Sequence, residues 1–437
     1  MRTTFSTHAA RVASVAAALA LVVAVSAPAA AADAPWYISA LRIDAAAAEG
    51  LTGAGVTIAV LDGQINTDVP TLADADIDVR EPSYCYGENN KPLPAASTEL
   101  SVAKPTEHGT NVVSTIVGSG EGYAGQQGVV GVAPGAKVLY YAVTVAADEE
   151  TGALSCGEKD TDVDVGTTWG PALDAAIDDG ADIVSVSLST SAGPSEMAVL
   201  ARAFREGVIV LGSLRNTSAI TFNGGMPAFA NGAIGVQAAG EDGAIQTTDG
   251  VPNRDSDVDV VAPGLGISAQ GDPSTGRWED QYVVDGTSLA TPLTAGVLAL
   301  VMEKYPDATG NQIIQSLIHN TSGEPDHEPQ RDSENYYGYG LISPANLLAT
   351  DPSKYEDVNP LIIEVPGPGD VLQPTYDEIF NPAPAASATP DPAAVEEQGS
   401  GVPLWIWLVL GGVLVVVAVV VVIIVTVVRK SAPRPTQ

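Results

Sequence analysis

Three short stretches hold residue types able to break an acyl bond. In "DGTSLATPLTAGVLALV" (285–301), Ser288 stands between a Gly-Thr pair and a run that reads as a buried helix. A hydroxyl there points out of the first turn, where unpaired N–H groups and the helix dipole favour developing negative charge. Pro292 falls in the first helical turns, where its missing N–H is expected to cost little. In "TEHGTNVVSTIVG", His108 comes just before a small-residue helix, and Gly109 lets the backbone pack closely. In "IAVLDGQI", Asp62 closes a β-branched run, at the strand edge where open parallel sheets bind ligands. Each alone has a plainer reading: Asp62 as a turn residue, Ser288 as a helix N-cap. Together they are an acid, a base and a nucleophile, the set that covalent acyl transfer requires.

The remaining histidines narrow the choice. His8 lies in the N-terminal leader, while His319 and His327, at a helix end and in a polar loop, read as surface residues. No HExxH pair occurs, so a zinc peptidase is unsupported and no cofactor is expected. The acidic clusters "TDVDVG" and "DSDVDV" lack EF-hand spacing and read as solvated loops rather than a calcium site.

The elements that must position these residues read as one α/β domain over 33–350. Apolar runs at 56–61, 137–143, 181–188 and 207–213 have the character of strands buried on both faces, with further strands in "GAIGVQAAG" and "VDVVAPG". Helical patterns at 111–117, 170–179 and 195–206 alternate with them, and helices at 288–305 and 310–319 close the domain. This order predicts a largely parallel sheet flanked by helices.

Both ends differ in kind. Arg2 and Arg11, an apolar run over 12–25 and "APAAAADAP" form a signal peptide, 1–32, the apolar run being short for an anchor. Residues 351–402 are rich in Pro, Ala and acids, which predicts an extended spacer. In the span 403–428, the uncharged run from Leu404 to Val428 reaches about 37 Å as a helix, enough to cross a bilayer with tilt. Trp405 and Trp407 mark its outer edge, and the basic tail 429–437 places the C-terminus in the cytoplasm. A single-pass type I protein with its domain outside the cell is therefore expected. The net charge of −34 argues against nucleic acid as a partner. Two cysteines, Cys85 and Cys156, are compatible with one disulfide in an exported chain.

From 36 to 349 the chain resembles the subtilisin-like serine peptidases, or subtilases. "VLDGQI", "HGTNV" and "GTSLATP" match the family's Asp, His and Ser motifs in the family's order, and "GVVGVAPGAKVLYYAV" resembles the segment after the His helix. The resemblance implies that Ser288 attacks the scissile carbonyl, with His108 as base and Asp62 orienting the imidazole. It implies Asn216 as the oxyanion donor together with the Ser288 N–H. Ser187, Leu188 and Ser189 would pair with an extended peptide substrate. The sequence departs from the family pattern at Gly63 and Gln64, where Ser or Thr then Gly is usual. It departs again at Arg215 and Ser189, each in place of a glycine. Arg215, beside the S1 wall, is expected to narrow the pocket or favour an acidic P1 residue.

The short stretch before Asp62, the Pro-rich spacer, the single span and the basic tail are similar to mycosins, the anchored subtilases of type VII secretion systems. That likeness implies limited proteolysis at the cell envelope and a type VII membrane complex as partner. A structural subunit with dispensable catalysis, or a general scavenging protease at the surface, are the alternatives.

Overall fold

The computed structural model describes residues 34–87, 91–147, 154–156, 166–218, 225–364 and 373–382. The apolar runs form strands β1 (Thr57–Asp62), β2 (Ile77–Val79), β3 (Lys137–Ala142), β4 (Ile183–Val186), β5 (Ile209–Ser213), β6 (Ile234–Ala239) and β7 (Val260–Pro263). They hydrogen-bond in the order β7-β6-β5-β4-β1-β3-β2, every pairing parallel. Along β1, Ile58 and Val60 enter one core cluster while Ala59 and Leu61 enter another, because successive side chains leave opposite faces. Both faces are thus covered, which is why these strands read as continuous apolar runs rather than alternating ones.

One face carries α3 (Thr106–Val117), α6 (Thr287–Lys304) and α7 (Gly310–His319); the other carries α4 (Gly166–Asp178) and α5 (Pro194–Arg205). In front of the sheet, α1 (Trp36–Ala40) and α2 (Ile43–Ala48) bury Tyr37 and Ile43 against the first cluster. Helix α6 is buried from Thr287 to Val301 except at Ser288, which is half-buried. A core helix with a single solvent window at its second residue accounts for the Gly-Thr-Ser entrance.

Three features were not legible beforehand. Strand β2 is only three residues long and half-buried throughout. The antiparallel hairpin β8 (Ile267–Asp272) and β9 (Arg277–Val284) is built from polar sequence, so it carried no apolar run. The segment expected to be an extended spacer from 351 instead stays on the domain as far as it is described. Asn231 bonds both backbone groups of Ile363 and the carbonyl of Pro374, and Gln373 bonds Phe229 and Asn231. Helix α8 (Tyr376–Phe380) then buries Ile379 against α5. Amide side chains and a few scattered apolar residues, Leu361, Ile362 and Ile379, do much of the holding, so no apolar period announced it.

Cys85 and Cys156 are joined, with Cα atoms 5.0 Å apart. The expected signal peptide, 403–428 span and basic tail lie outside the described residues, among which no helix is long and apolar enough to cross a membrane.

Candidate active site

Asp62 is the last residue of β1 and is fully buried. Its Oδ1 accepts the Gly63 N–H at 2.6 Å and faces His108 Nδ1 at 2.7 Å. A carboxylate can only accept, so Nδ1 carries the proton and Nε2 is left as the base. Asp62 Oδ2 is buried with no hydrogen-bond partner among the described residues.

His108 was expected just ahead of its helix; it is the third residue of α3, which begins directly after Pro105. Two glycines allow the approach. A Cβ on Gly63 would stand 2.7 Å from both Pro105 Cβ and its carbonyl oxygen, so the departure from the family's Ser or Thr is enforced by this neighbour. A side chain at Gly109 would strike the Tyr140 hydroxyl, which donates to the Gly63 carbonyl at 2.7 Å. Burial opposes protonation of His108, but the charge and hydrogen bond of Asp62, helped by Glu107, outweigh it and push the imidazole up to about 9.

Register brings the serine to the same edge. Leu61 lies opposite Val186, the last residue of β4, so Asp62 at the end of β1 and Ser187 just past β4 leave adjacent strands at the same edge. Ser187 Oγ donates to the Ser288 carbonyl at 2.8 Å. That carbonyl would ordinarily accept from the N–H of residue 292, which is a proline. The proline was expected to cost little; it removes a helical donor, and Ser187 supplies the replacement. Helix α3 packs along α6, completing the convergence of the three elements.

Asn216 is also fixed. Its Oδ1 accepts the Thr287 N–H at 3.1 Å and lies 3.3 Å from Thr287 Oγ1, which donates to the Leu214 carbonyl. This leaves Nδ2 facing outward. Nδ2 lies 3.5 Å, and Ser288 Oγ 3.2 Å, from the point a Cβ on Gly286 would occupy, so amide and hydroxyl flank one small gap. An N–H donor beside a hydroxyl at a helix mouth is an arrangement that can receive an oxyanion.

Beyond the strand end, Leu188 is buried and Ser189 exposed, and Thr190 pairs antiparallel with Met226. Arg215 Nε donates to Ser189 Oγ at 3.3 Å, so the two departures from glycine touch each other. His319 and His327 stay away from this edge but are half-buried rather than free on the surface. His319 bonds the His327 carbonyl and stacks on Tyr355, and His327 bonds Thr321. Of the "DSDVDV" acids, Asp259 is buried, ion-paired to Arg331 at 3.1 Å and bonded to the Gly235 N–H, so this stretch is not a solvated loop. No group of three or more His, Cys, Asp or Glu among the described residues is arranged to hold a metal ion.

Thr287, Glu107 and Tyr282 were missed from sequence. The first two adjoin Ser288 and His108 in the quoted motifs, whereas Tyr282 carried no signal.

A parallel α/β sheet with an Asp–His pair and a helix-mouth serine at its strand ends has the architecture of a serine hydrolase. Residues 53–340 match the Subtilase family, and the chain belongs to that family of serine endopeptidases. It is similar to the "Thermostable alkaline protease" of Halalkalibacterium halodurans, 32% identical over 315 residues, covering 70% of this chain and 72% of that protein. Similarity to "Subtilisin BL" of Lederbergia lenta is 31% over 321 residues, covering 71% of this chain and 96% of that one. Among solved structures, MycP1 from the ESX-1 type VII secretion system shares the fold, with a TM-score of 0.56, 20% identity, and coverage of 76% and 89% of the two chains.

Proposed function

We propose that Asp62, His108 and Ser288 form the catalytic triad of a membrane-tethered, extracytoplasmic endopeptidase that performs limited proteolysis at the cell envelope. The observation that carries the reading is the 2.7 Å bond from His108 to a fully buried Asp62, on the strand edge where Ser187 grips Ser288. In this reading His108 Nε2 takes the proton from Ser288 Oγ as the hydroxyl attacks the substrate carbonyl. Asp62 stabilises the imidazolium that forms, and Asn216 Nδ2 with the Ser288 N–H receives the oxyanion. The imidazolium then gives its proton to the leaving amine, and water attacking by the reverse sequence frees the acyl group.

Ser187, Leu188 and Ser189 would pair with the peptide backbone, and the Arg215–Ser189 contact would narrow S1 and favour an acidic P1 side chain. A peptide-library profile as broad as a digestive protease's would reject that specificity. The tether is supported by the sequence of 403–428 and the basic tail after it. The fold shared with MycP1 favours a place beside a type VII secretion complex. The deciding experiment is labelling with a fluorophosphonate and mapping of the adduct. Modification of Ser288, absent in Ser288→Ala, is expected; an adduct elsewhere or none would reject the triad. A second reading, a structural role in such a complex, is favoured if secretion survives Ser288→Ala while cleavage stops.

A further inference from the structure

Glu107 is the residue before His108, and its carboxylate is locked. Tyr282 Oη donates to Oε1 at 2.5 Å, and Asn111 Nδ2 donates to the same oxygen at 2.8 Å. Asn111 in turn exchanges two hydrogen bonds with the Gln270 backbone, at 3.0 and 2.8 Å. Gln270 lies on β8 and Tyr282 on β9, and β9 runs directly into Gly286 and Ser288. The hairpin is therefore a rigid frame with one side fixed to the first turn of the histidine helix and the other leading into the serine helix. The two donors satisfy the carboxylate in place of water and fix where its charge sits relative to the first turn of α3.

We propose that Glu107, held by Tyr282 and Asn111, is a positioning residue that keeps a second fixed carboxylate beside His108 and so sets how readily the catalytic base releases its proton. This rests on the reading of His108 as the base. Among the described residues the charges that act on the ring are those of Asp62 on β1 and Glu107 on α3. The neighbouring hydroxyls are Tyr140, under Gly63, and Tyr282, behind Glu107, with the half-buried Asp272 acting on Tyr282. Burial, with Asp62 adding to it, raises Glu107's own proton affinity on balance, and Tyr282, His108 and Asn111 pull the other way by stabilising the ionised form. When ionised, this carboxylate strengthens the base and favours the imidazolium formed during attack.

The test is the pH dependence of fluorophosphonate labelling of Ser288 and of kcat/KM on a peptide substrate, in wild type, Glu107→Gln and Tyr282→Phe. Glu107→Gln preserves shape and the Asn111 contact but removes the charge. Its rising limb is expected to move to lower pH by roughly one unit, with a lower plateau at alkaline pH. Tyr282→Phe, which only loosens the carboxylate, is expected to move the limb part of the way in the same direction. A Glu107→Gln limb that overlays wild type, whatever the plateau, overturns the proposal while leaving the triad intact. Wild type that fails to label at Ser288 overturns the reading beneath it.

Discussion

The contact between Ser187 and the Ser288 carbonyl makes a test that reaches from stability to catalysis. Pro292 deprives that carbonyl of its helical donor, and Ser187 Oγ at 2.8 Å replaces it. Ser187 is 5% exposed, so Ser187→Ala leaves an acceptor with little water to turn to, at a cost of about 1–2 kcal/mol. In a Pro292→Ala background the helix regains its own N–H, and the same change should cost less than ~0.5 kcal/mol. The coupling between the two positions is then about 1 kcal/mol, measurable by a double-mutant cycle. Guanidinium unfolding of the four proteins, all carrying Ser288→Ala to prevent self-digestion, supplies the free energies. With the serine restored, Ser187→Ala should also lose kcat, since shifting the nucleophile by about 1 Å costs about 10²-fold. An equal cost of Ser187→Ala in both backgrounds would refute the claim that the hydroxyl substitutes for the proline's missing donor.

Gly63→Ser, although it restores the residue usual in the family, should destabilise the protein by about 1–3 kcal/mol and lower kcat, because Pro105 fills the space; unfolding and turnover measurements decide it. Asn216→Ala should lower kcat by about 10²–10³ with KM little changed, a range established on subtilisin's own oxyanion asparagine rather than obtained from these distances. For His108 the folded imidazole lies above its ordinary value of 6.5, at about 9. The Asp62–His108 pair therefore contributes its full stability below about 6.5 and loses it as pH rises toward 9. Unfolding midpoints of Ser288→Ala should fall across that window, and His108→Gln should flatten the fall. A midpoint that rises there would reverse the sign of the inferred interaction.

The chain's order of residues was enough to foresee the parallel sheet and to single out Asp62, His108 and Ser288 as the triad proposed above. Strands buried on both faces must be apolar throughout, and a serine at a Gly-Thr entrance has few structural reasons to be there. The reason Pro292 is tolerated, the reason position 63 must be glycine, and the clamp of Tyr282 on Glu107 depend on partners 101, 42 and 175 positions away. Local propensity carries no information about such pairs. The polar hairpin and the strap ending in α8 were hidden for a related reason: hydrogen bonds and scattered buried side chains hold them, and these leave no period to read. Tertiary packing alone decides which carbonyl lacks a donor, and therefore which distant hydroxyl must reach it.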